Sequence, residues 1–289
     1  MKKAIVLGAL GFIGFALCEC LLEEEYEVIG IDYIEGRNAK VQEQKLAQIA
    51  RNSHFVYRNE QVEEVVFKDV AEKCDCLYFC LDDQEVNEDN INDKMLTRKI
   101  ILLQVMDYCK EGNCQFIYLS SYEVFKKNPR NLTGMLKAAE EIEIEKYSQE
   151  NPIFTFVILQ LPTIYGPWQP TSMTFQQLIQ GVTLPSLDPI QEDAIFINDL
   201  AEILVYIPHS QLKNKTIIIS SNKKNQWHEG FNFLQKHPKN PPKENETKIE
   251  IPNHPHIFSK FIKTPIADGI KAQEEHYKYI ERLRDFGLI

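Results

Sequence analysis

The sequence predicts an α/β fold built around a doubly wound parallel sheet. Through residue 160, short apolar runs of strand length alternate with longer runs that have the apolar spacing of helices. A glycine-rich turn joins the first apolar run to the first helical run. Strand-helix alternation at this spacing is typical of right-handed βαβ units, whose strands pair in parallel.

The predicted elements follow one another in order. Strands are predicted where short apolar runs occur, at 4–8, 26–32, 54–57, 76–81, 115–121 and 154–160. Helices are predicted where amphipathic runs are long enough, at 12–25, 92–112 and 136–150. Asn131 or Thr133 could cap the last of these helices, because both side chains accept hydrogen bonds from helix N–H groups.

The composition of the sequence and the length of its predicted elements change after Pro162. Prolines become frequent, elements become shorter, and residues 237–248 form a polar stretch typical of a surface loop or a linker. A last helix is predicted at 264–286, with a proline in its opening turn. We therefore predict one domain at 1–162 and a smaller mixed α/β region at 163–289, some of whose elements return to the first domain.

The net charge argues against two classes of partner. The 289 residues carry a formal net charge of −10, and the pI is about 5.3. Nucleic acids and anionic membranes require a basic face. Because no apolar run approaches the length of a membrane span, we predict neither a nucleic-acid nor a membrane partner.

The first residues imitate a signal peptide, since two lysines precede an apolar run. However, that run contains a glycine pattern with another use, and no small-residue cleavage site precedes the acidic residues at 23–25. The seven cysteines are an odd number, and several lie in apolar runs, where a thiol behaves as a small hydrophobic group. We therefore predict a reducing, cytoplasmic location.

We predict no metal site. Two cysteine pairs are spaced as CxC rather than CxxC, without a nearby histidine, and the closest histidine pair, His254 and His256, lies in a proline-containing stretch without nearby acids or cysteines. A hydrolase is also disfavoured, because no GxSxG motif and no Cys/His pair with an orienting acid stands out.

The glycine-rich turn has the pattern Gly8-x-x-Gly11-x-x-Gly14 between a strand and a helix. Gly8 permits a tight turn, Gly11 lets the backbone approach a diphosphate, and Gly14 lets helix and strand pack closely. The unpaired N–H groups at the helix start, around Phe12 and Ile13, are suited to phosphate. The pattern predicts a Rossmann-type dinucleotide site, and the simpler alternative is a tight turn without a ligand.

Asp32 indicates which dinucleotide would bind. It ends the second strand, at the spacing where an acidic residue binds the adenosine ribose hydroxyls. A carboxylate there repels the 2′-phosphate of NADP, and no arginine follows it directly. The sequence therefore predicts NAD, and the simpler alternative is that Asp32 only ends a strand.

Four segments resemble the extended short-chain dehydrogenase/reductase family, which contains NAD-dependent nucleotide-sugar epimerases and dehydratases. Residues 8–32 resemble the family's opening, and QFIYLSSYEVF resembles the strand that ends in a catalytic Ser/Thr. LPTIYGPWQP resembles the loop with the family's YGP, and EDAIFINDLAEIL resembles its RDFIYVDD segment. The resemblance covers most of the chain and implies a Rossmann-type fold, NAD, and a sugar or nucleotide-sugar substrate.

The resemblance also implies catalytic roles. In the family, a Ser/Thr hydrogen-bonds the reacting oxygen, a tyrosine is the acid/base, and a lysine four residues later binds the nicotinamide ribose and lowers the tyrosine pKa. Ser121 matches the Ser/Thr and Lys137 the lysine, whereas Thr133 stands at the tyrosine position. Thr133 cannot act as a tyrosine, because an aliphatic hydroxyl is less acidic than a phenol and reaches less far.

Another residue could supply the missing acid/base. Some family dehydratases carry an Asp-Glu pair directly after the Ser/Thr, and Tyr122 and Glu123 match those positions. On a strand end the two side chains point in opposite directions, so at most one faces the substrate unless the strand ends first. The alternative is that Tyr122 packs against the neighbouring loop.

Further departures fall on binding positions. Glu192 stands where the family often has an arginine for substrate phosphate, and a carboxylate there would repel a diphosphate. Gln160 and Thr163 replace an Arg-x-x-Asn pattern before the loop with Tyr165, a residue more often structural. Asn59-Glu60 replaces an adenine-contacting Asp-Ile/Leu pair, and Leu81-Asp82 replaces a small Ala-Ala pair.

The candidate residues fall into three sets. The catalytic set is Ser121, Tyr122, Glu123, Thr133 and Lys137. The cofactor set is Gly8, Gly11, Phe12, Ile13, Gly14, Asp32, Asn59, Cys80, Leu81 and Lys137. The substrate set is Ser121, Tyr122, Thr163 and Tyr165.

Two functions are consistent with these residues. The first is an NAD-dependent epimerase, dehydratase or reductase that acts on a sugar or nucleotide sugar through an atypical active site. The second is a catalytically inactive NAD(H)-binding relative with a regulatory or partner-binding role. The resemblance also implies a homodimer through the helices at 92–112 and 132–150, although the stretch EEIEIEKYSQE is polar.

Overall fold

A computed structural model describes residues 1–62, 65, 73–81, 87, 89–126, 131–182, 193–235, 251–252 and 257–287. The chain divides into two compact units. Unit 1 comprises Met1–Gln160 and Leu204–Ile218, and unit 2 comprises Leu161–Ile203 and Ile219–Ile289. The predicted polar segment 237–248, the histidine pair His254/His256, and the residues Asp82 and Glu192 lie outside the described residues.

The described strands follow the predicted order. They are β1 (Lys3–Leu7), β2 (Glu27–Asp32), β3 (Phe55–Asn59), β4 (Cys76–Phe79), β5 (Gln115–Ser121), β6 (Phe156–Leu161), β7 (Thr163–Tyr165), β8 (Ala194–Phe196) and β9 (Lys215–Ile218). The six strands predicted up to residue 160 are therefore confirmed. The last three are too short to stand out from the sequence.

Unit 1 is built on a seven-stranded sheet with the order β3-β2-β1-β4-β5-β6-β9. β1 pairs in parallel with both β2 and β4, β2 pairs so with β3, β4 with β5, and β6 with β9. The order reverses direction between β1 and β4, which defines a doubly wound sheet. The predicted fold class is confirmed.

The described helices are α1 (Phe12–Glu23), α2 (Ala39–Ile49), α3 (Ile91–Gly112), α4 (Leu132–Glu150), α5 (Thr174–Ile179), α6 (Ile197–Tyr206), α7 (Gln226–Leu234) and α8 (Ile266–Asp285). The predictions of α1, α3, α4 and α8 are confirmed. The predicted start of α4 at residue 136 was late by one turn, because Asn131 caps the helix by accepting a hydrogen bond from the Gly134 N–H at 3.1 Å. The sequence analysis missed α2.

The core of unit 1 explains why its strands read as unbroken apolar runs. Every residue of β4 is buried, as is every residue of β6. Strands in the middle of a parallel sheet are covered on both faces, so no polar residue alternates with the apolar ones. Aromatic rings from neighbouring strands fill part of this core, with ring centroids 6.0 Å apart for Phe79 and Phe116 and 5.9 Å apart for Phe116 and Phe154.

Unit 2 contains the two-stranded parallel sheet of β7 and β8. Trp227 of α7 stacks on Phe175 and Phe231, with ring centroids 5.6 Å and 5.2 Å apart. Three buried glutamines, Gln169, Gln176 and Gln273, form a hydrogen-bonded cluster, in which the Gln273 amide donates to the other two at 2.7 Å and 2.9 Å. Aromatic stacking and this cluster connect the short helices α5 and α7 and the long helix α8.

Across the helices placed by the structure, none combines the length and apolar character needed to cross a bilayer. Within the same part of the chain, no cluster of three or more His, Cys, Asp or Glu side chains is arranged to hold a metal ion.

Candidate functional site

The turn after β1 is closed by glycines. Gly8 has a φ of +78°, a conformation that side chains rarely adopt, and a Cβ at this position would lie 2.9 Å from the Cys80 carbonyl oxygen. A Cβ at Gly14 would lie only 2.0 Å from the Gly8 carbonyl oxygen. Gly14 thus permits close packing of α1 on the turn, as its position in the motif predicted.

Gly11 occupies the N-cap of α1 and provides no side chain to bond the first N–H groups of the helix. The first turn also contains no acidic side chain. A helix start without a side-chain cap leaves N–H donors and a positive dipole end for a bound anion. The backbone of Phe12 and Ile13, which begin the helix, is therefore available to phosphate groups.

Asp32 ends β2 beside this turn. Its Oδ2 accepts a hydrogen bond from the Leu10 N–H at 2.7 Å, and its Oδ1 accepts one from the Tyr33 N–H at 2.8 Å. Burial raises the pKa of Asp32, whereas these two hydrogen bonds and the positive charge of Lys45 oppose that rise. Each carboxylate oxygen has a second lone pair, which fits acceptance of a ribose hydroxyl.

Asn59 ends β3, and Cys80 and Leu81 directly follow β4. Asn59 pairs with Asp32 in the β2–β3 ladder, and its Oδ1 accepts the Ile34 N–H at 3.0 Å. The Cys80 N–H donates to the Leu7 carbonyl at 3.0 Å, and burial raises the pKa of the Cys80 thiol to about 12, so the thiol is a packing group. The role of their side chains in binding remains a prediction.

Lys137 is buried, with 6% of its surface exposed. Its Nζ donates to the Leu119 carbonyl at 3.0 Å and to the Leu81 carbonyl at 3.3 Å, and it lies 5.1 Å from the centre of the Tyr118 ring. A solvated surface lysine would make none of these contacts. The fixed position of this ammonium at the end of the sheet is suited to a ribose hydroxyl.

These residues fit an NAD molecule. The fit rests on the side-chain-free turn of Gly8, Gly11 and Gly14, the carboxylate of Asp32, and the buried ammonium of Lys137. All five follow or flank the carboxyl ends of parallel strands, the edge at which doubly wound sheets bind nucleotides.

Ser121 is the last residue of β5 and caps the short 3-10 helix Tyr122–Phe125. Its Oγ accepts the Glu123 N–H at 3.2 Å. The hydroxyl hydrogen is not used by that bond, so it can be donated to a substrate oxygen. This geometry agrees with the role that the family resemblance gives to Ser121.

The strand ends before Tyr122 and Glu123, so strict alternation does not decide between them. Glu123 forms an ion pair with Lys126, whose Nζ lies 2.6 Å from Glu123 Oε1. The Tyr122 ring packs edge-on against Phe125, with ring centroids 5.7 Å apart. Tyr122 therefore packs within its own 3-10 helix and keeps partial exposure, and its packing against the neighbouring loop stays a prediction.

Thr133 lies inside the first turn of α4 and is not its N-cap. Asn131 is the cap, and its side-chain amide also donates to the Glu123 carbonyl at 2.7 Å. Because Thr133 and Lys137 are four residues apart on one helix, they share a face. Gly134 is required beside them, since a Cβ there would lie 2.4 Å from the Glu123 carbonyl oxygen.

The two remaining substrate candidates belong to unit 2. Thr163 begins β7 and is partly exposed. Tyr165 ends β7 and is buried, with ring centroids 5.6 Å from Phe175 and 5.7 Å from Phe196. Burial also raises the pKa of Tyr165 well above its usual range, so its hydroxyl is a poor acid here. Their contact with substrate stays a prediction.

Two polar clusters beside Lys137, one buried and one partly buried, were not predicted from the sequence. In the first, Arg98 of α3 pairs with Glu140 of α4 at 2.7 Å, and the Tyr118 hydroxyl donates to the same carboxylate. In the second, Ser120 and Gln160 both donate to Glu141. Charged residues in a helix usually mark a solvated face, so the only available signal was their position among apolar residues.

Comparison with known proteins gives a consistent result. The model of the NAD dependent epimerase/dehydratase family matches residues 4–219. The chain is 28% identical over 195 residues to an uncharacterized UDP-glucose epimerase, YtcB, of Bacillus subtilis (strain 168). That match spans 62% of this chain and 61% of the length of the relative.

Two solved structures share the fold. One is UDP-glucuronic acid 4-epimerase from Bacillus cereus in complex with NAD, with a TM-score of 0.79 and 22% identity over 96% of this chain and 99% of that chain. The other is UDP-glucose 4-epimerase from Thermotoga maritima with UDP-glucose, with a TM-score of 0.74 and 16% identity over 97% and 100%. At these identities the likeness concerns the fold.

Proposed function

Since this chain belongs to the NAD dependent epimerase/dehydratase family, we propose that it binds NAD and acts on a sugar or nucleotide sugar through an atypical active site. The observation that carries this proposal is the buried Lys137, which two main-chain carbonyls hold at the sheet edge that also carries the glycine turn. NAD, when bound, accepts a hydride from a sugar carbon and can return it. A lysine kept only for solubility would gain nothing from burial.

Three residues of the chain would then have separate roles in binding and catalysis. The Ser121 hydroxyl would donate a hydrogen bond to the reacting sugar oxygen and keep it in place. The Lys137 ammonium would hold the nicotinamide ribose and stabilise negative charge near it. The carboxylate of Asp32 would select NAD over NADP by repelling a 2′-phosphate.

Tyr122 is our choice for the acid/base. Glu123 is already engaged in an ion pair with Lys126 at the boundary of its own 3-10 helix. Tyr122 has a phenol, follows Ser121 directly and is partly exposed. The substrate class is supported by the relatives, since the names of YtcB and of the two solved structures refer to UDP-sugar epimerases.

A second function is favoured by one observation. Thr133 stands on the face of α4 where the family's tyrosine would precede the lysine, and it cannot provide a phenol. A protein that binds NAD(H) without turnover, and that acts through a partner, would have this combination of an intact cofactor end and a missing acid/base.

We also propose a homodimer in the cytoplasm. Four apolar side chains of α3 and α4 are exposed, namely Leu96, Ile100, Met135 and Ile142, and Leu96 is part of the wall of a groove between the two helices. The groove is lined by Met95, Leu96, Lys99, Leu102, Leu136, Ala139, Glu140 and Glu143. Apolar residues on neighbouring helices are suited to a second copy of the pair. None of the seven cysteines, all of which lie among the described residues, forms a disulfide, which suits a reducing compartment.

The test is product formation from a panel of nucleotide sugars by NAD-loaded protein, followed by chromatography. We expect turnover by the wild type, and a loss of about 10²- to 10⁴-fold in Tyr122→Phe, the range for a general acid/base. Glu123→Gln is the matched control and should retain most of the activity. Turnover equal in wild type and Tyr122→Phe would contradict the role of Tyr122, and coenzyme binding without any turnover would favour the second function.

A further inference from the structure

Lys45 of α2 is a buried lysine that none of the roles above requires. Only 4% of its surface is exposed. Its Nζ donates to the Leu10 carbonyl at 2.9 Å and to the Gly11 carbonyl at 3.1 Å, and it lies 5.7 Å from the centre of the Phe15 ring. A lysine is almost never fully buried unless its charge is compensated, so the burial of Lys45 needs a physical explanation.

The charges around Lys45 supply part of that reason. The charges of Asp32 of β2 and Glu19 of α1 both favour the ammonium form of Lys45. Burial and the negative charge of Glu23 raise the pKa of Glu19. The two carbonyls that bind Nζ belong to the residues immediately before α1. The ammonium therefore lies between the carboxylate suited to the ribose and the turn suited to the diphosphate.

The peptide geometry links this contact to a ligand. A trans peptide is planar, and its C=O and N–H point in opposite directions. When Nζ holds the Gly11 carbonyl, the N–H of the same peptide, which belongs to Phe12, points away from Lys45 and out of the helix start. This is the direction from which a phosphate would approach.

We propose that Lys45 is a positioning residue for the coenzyme, which fixes the peptides at the start of α1 and adds a positive charge behind the diphosphate. This inference rests on the proposed function, because it concerns how NAD is held. It predicts that NADH affinity depends on Lys45, which would act through the Leu10 and Gly11 carbonyls.

The proton on Lys45 provides a second readout. Burial lowers the pKa of Lys45 to about 8, against the opposing effect of Asp32 and Glu19. Above that pH the free protein loses the ammonium, so NADH binding should weaken as the pH rises. An arginine keeps its charge throughout this range and should remove the dependence.

The experiment is fluorescence titration with NADH at pH 7 and pH 9, for wild type, Lys45→Met, Lys45→Arg and Lys40→Met. Lys40 lies on the same helix and is exposed, so Lys40→Met is the matched control. We expect Lys45→Met to weaken binding at pH 7 by about 10-fold or more, as expected for loss of charged hydrogen bonds. Lys45→Arg should bind almost as wild type at pH 7 and lose less affinity at pH 9, and Lys40→Met should match wild type at both.

Two results would overturn the proposal. One is a folded Lys45→Met that binds NADH as wild type does, with the same change between pH 7 and pH 9. If Lys45→Met does not fold, the pH profiles decide, and equal profiles for wild type and Lys45→Arg contradict the proposal. If the wild type binds no NADH, both the proposed function and this inference are contradicted. If the wild type binds NADH but the Lys45 variants behave as wild type, only the role of Lys45 is contradicted.

Discussion

At the scale of single residues, the site combines a preserved cofactor end with an altered catalytic pair. Lys137 is held by the carbonyls of Leu81 and Leu119, so its position does not depend on a neighbouring tyrosine. Thr133 occupies the preceding turn of the same helix face. The chain thus retains the lysine that would lower the pKa of a tyrosine acid/base, whereas the tyrosine itself is absent from its usual position.

Restoring the phenol tests this interpretation. Thr133→Tyr places a tyrosine one helical turn before Lys137, whose charge would lower the tyrosine pKa. We expect turnover of a nucleotide sugar to rise by about 10²-fold, at the lower end for general acid/base catalysis. The measurement is the initial rate of product formation. Thr133→Phe is the control, and an equal rise in both variants would show that the hydroxyl is not responsible.

The buried charge of Lys45 should also appear in the stability of the free protein. Its folded pKa of about 8 lies below the value of 10.5 for an unperturbed lysine, so the unfolded chain binds more protons between these pH values. Stability should therefore rise with pH in this window, in contrast to coenzyme affinity. Lys45→Arg keeps its charge, so its stability should not rise for this reason. We therefore expect the unfolding free energy of wild type, relative to that of Lys45→Arg, to increase from pH 7 to pH 10. If urea denaturation gives the same difference in unfolding free energy between the two proteins at both pH values, the lowered pKa of Lys45 is contradicted.

The residues that the sequence predicted best are those whose role depends on the backbone. Gly8, Gly14 and Asp32 lie where the motif spacing placed them, because a strand, a tight turn and a helix leave few alternatives. Lys45 could not be predicted, since a lysine in a polar stretch is usually solvated. The choice between Asn131 and Thr133 as cap also needed the structure, because both residue types are good caps.

At the scale of elements, a buried ion pair joins α3 to α4. Arg98 and Glu140 are both almost fully buried, and the Arg98 guanidinium also lies 4.8 Å from the centre of the Phe79 ring. Arg98 further donates to the Leu81 carbonyl at 3.5 Å, the same carbonyl that binds Lys137. This pair therefore supports the helix that carries Lys137.

Removing one partner of this pair should leave the other charge buried and uncompensated. We expect Arg98→Met to lower the unfolding free energy by about 3–5 kcal/mol. The double variant Arg98→Met/Glu140→Gln should be more stable than Arg98→Met, since the leftover charge is gone while Tyr118 keeps an acceptor. Urea denaturation measures both values. A double variant less stable than the single one would mean that the desolvation cost of an unpaired buried charge is not the cause.

The missed helix α2 shows where element prediction fails. Its residues Ala39–Ile49 are mostly polar, and only Lys45 and Ile49 are buried. A helix whose buried face contains a lysine lacks the apolar stripe on which recognition of amphipathic helices depends. By contrast, α1 and α3 have longer apolar faces and were predicted with nearly correct ends.

At the scale of the whole molecule, the first 160 residues were more predictable than the rest. Long buried strands and the glycine motif define the sheet of unit 1. Unit 2 is built from short elements such as α5 and β7, whose stability comes from contacts between residues far apart in the sequence. Local patterns do not report such contacts, and the assignment of substrate binding to the second region remains a proposal.

The proposed dimer can be tested on the exposed face of α3 and α4. We expect wild type to be a dimer in light scattering after gel filtration, and Leu96→Glu/Ile142→Glu to be a monomer, because charges in an apolar interface are costly. Ile153→Glu is the control, since Ile153 is an exposed apolar residue that is not on either helix. A monomeric wild type, or a double variant that remains a dimer, would rule out this surface.

The central claim is that the glycine turn binds NAD, and calorimetric titration with NADH tests it most directly. Gly11→Asp is the most informative variant, because Gly11 has an ordinary φ of −63° and aspartate is a favoured N-cap. A Cβ at Gly11 would lie 3.0 Å from the Gly8 carbonyl oxygen, so thermal unfolding must first show that the variant folds. Its carboxylate then repels the diphosphate. We predict one NADH bound per wild-type chain and a loss of at least about 10-fold in affinity for the variant. Wild-type protein, shown to be free of co-purified coenzyme, that neither releases heat nor gains thermal stability with NADH would contradict the account.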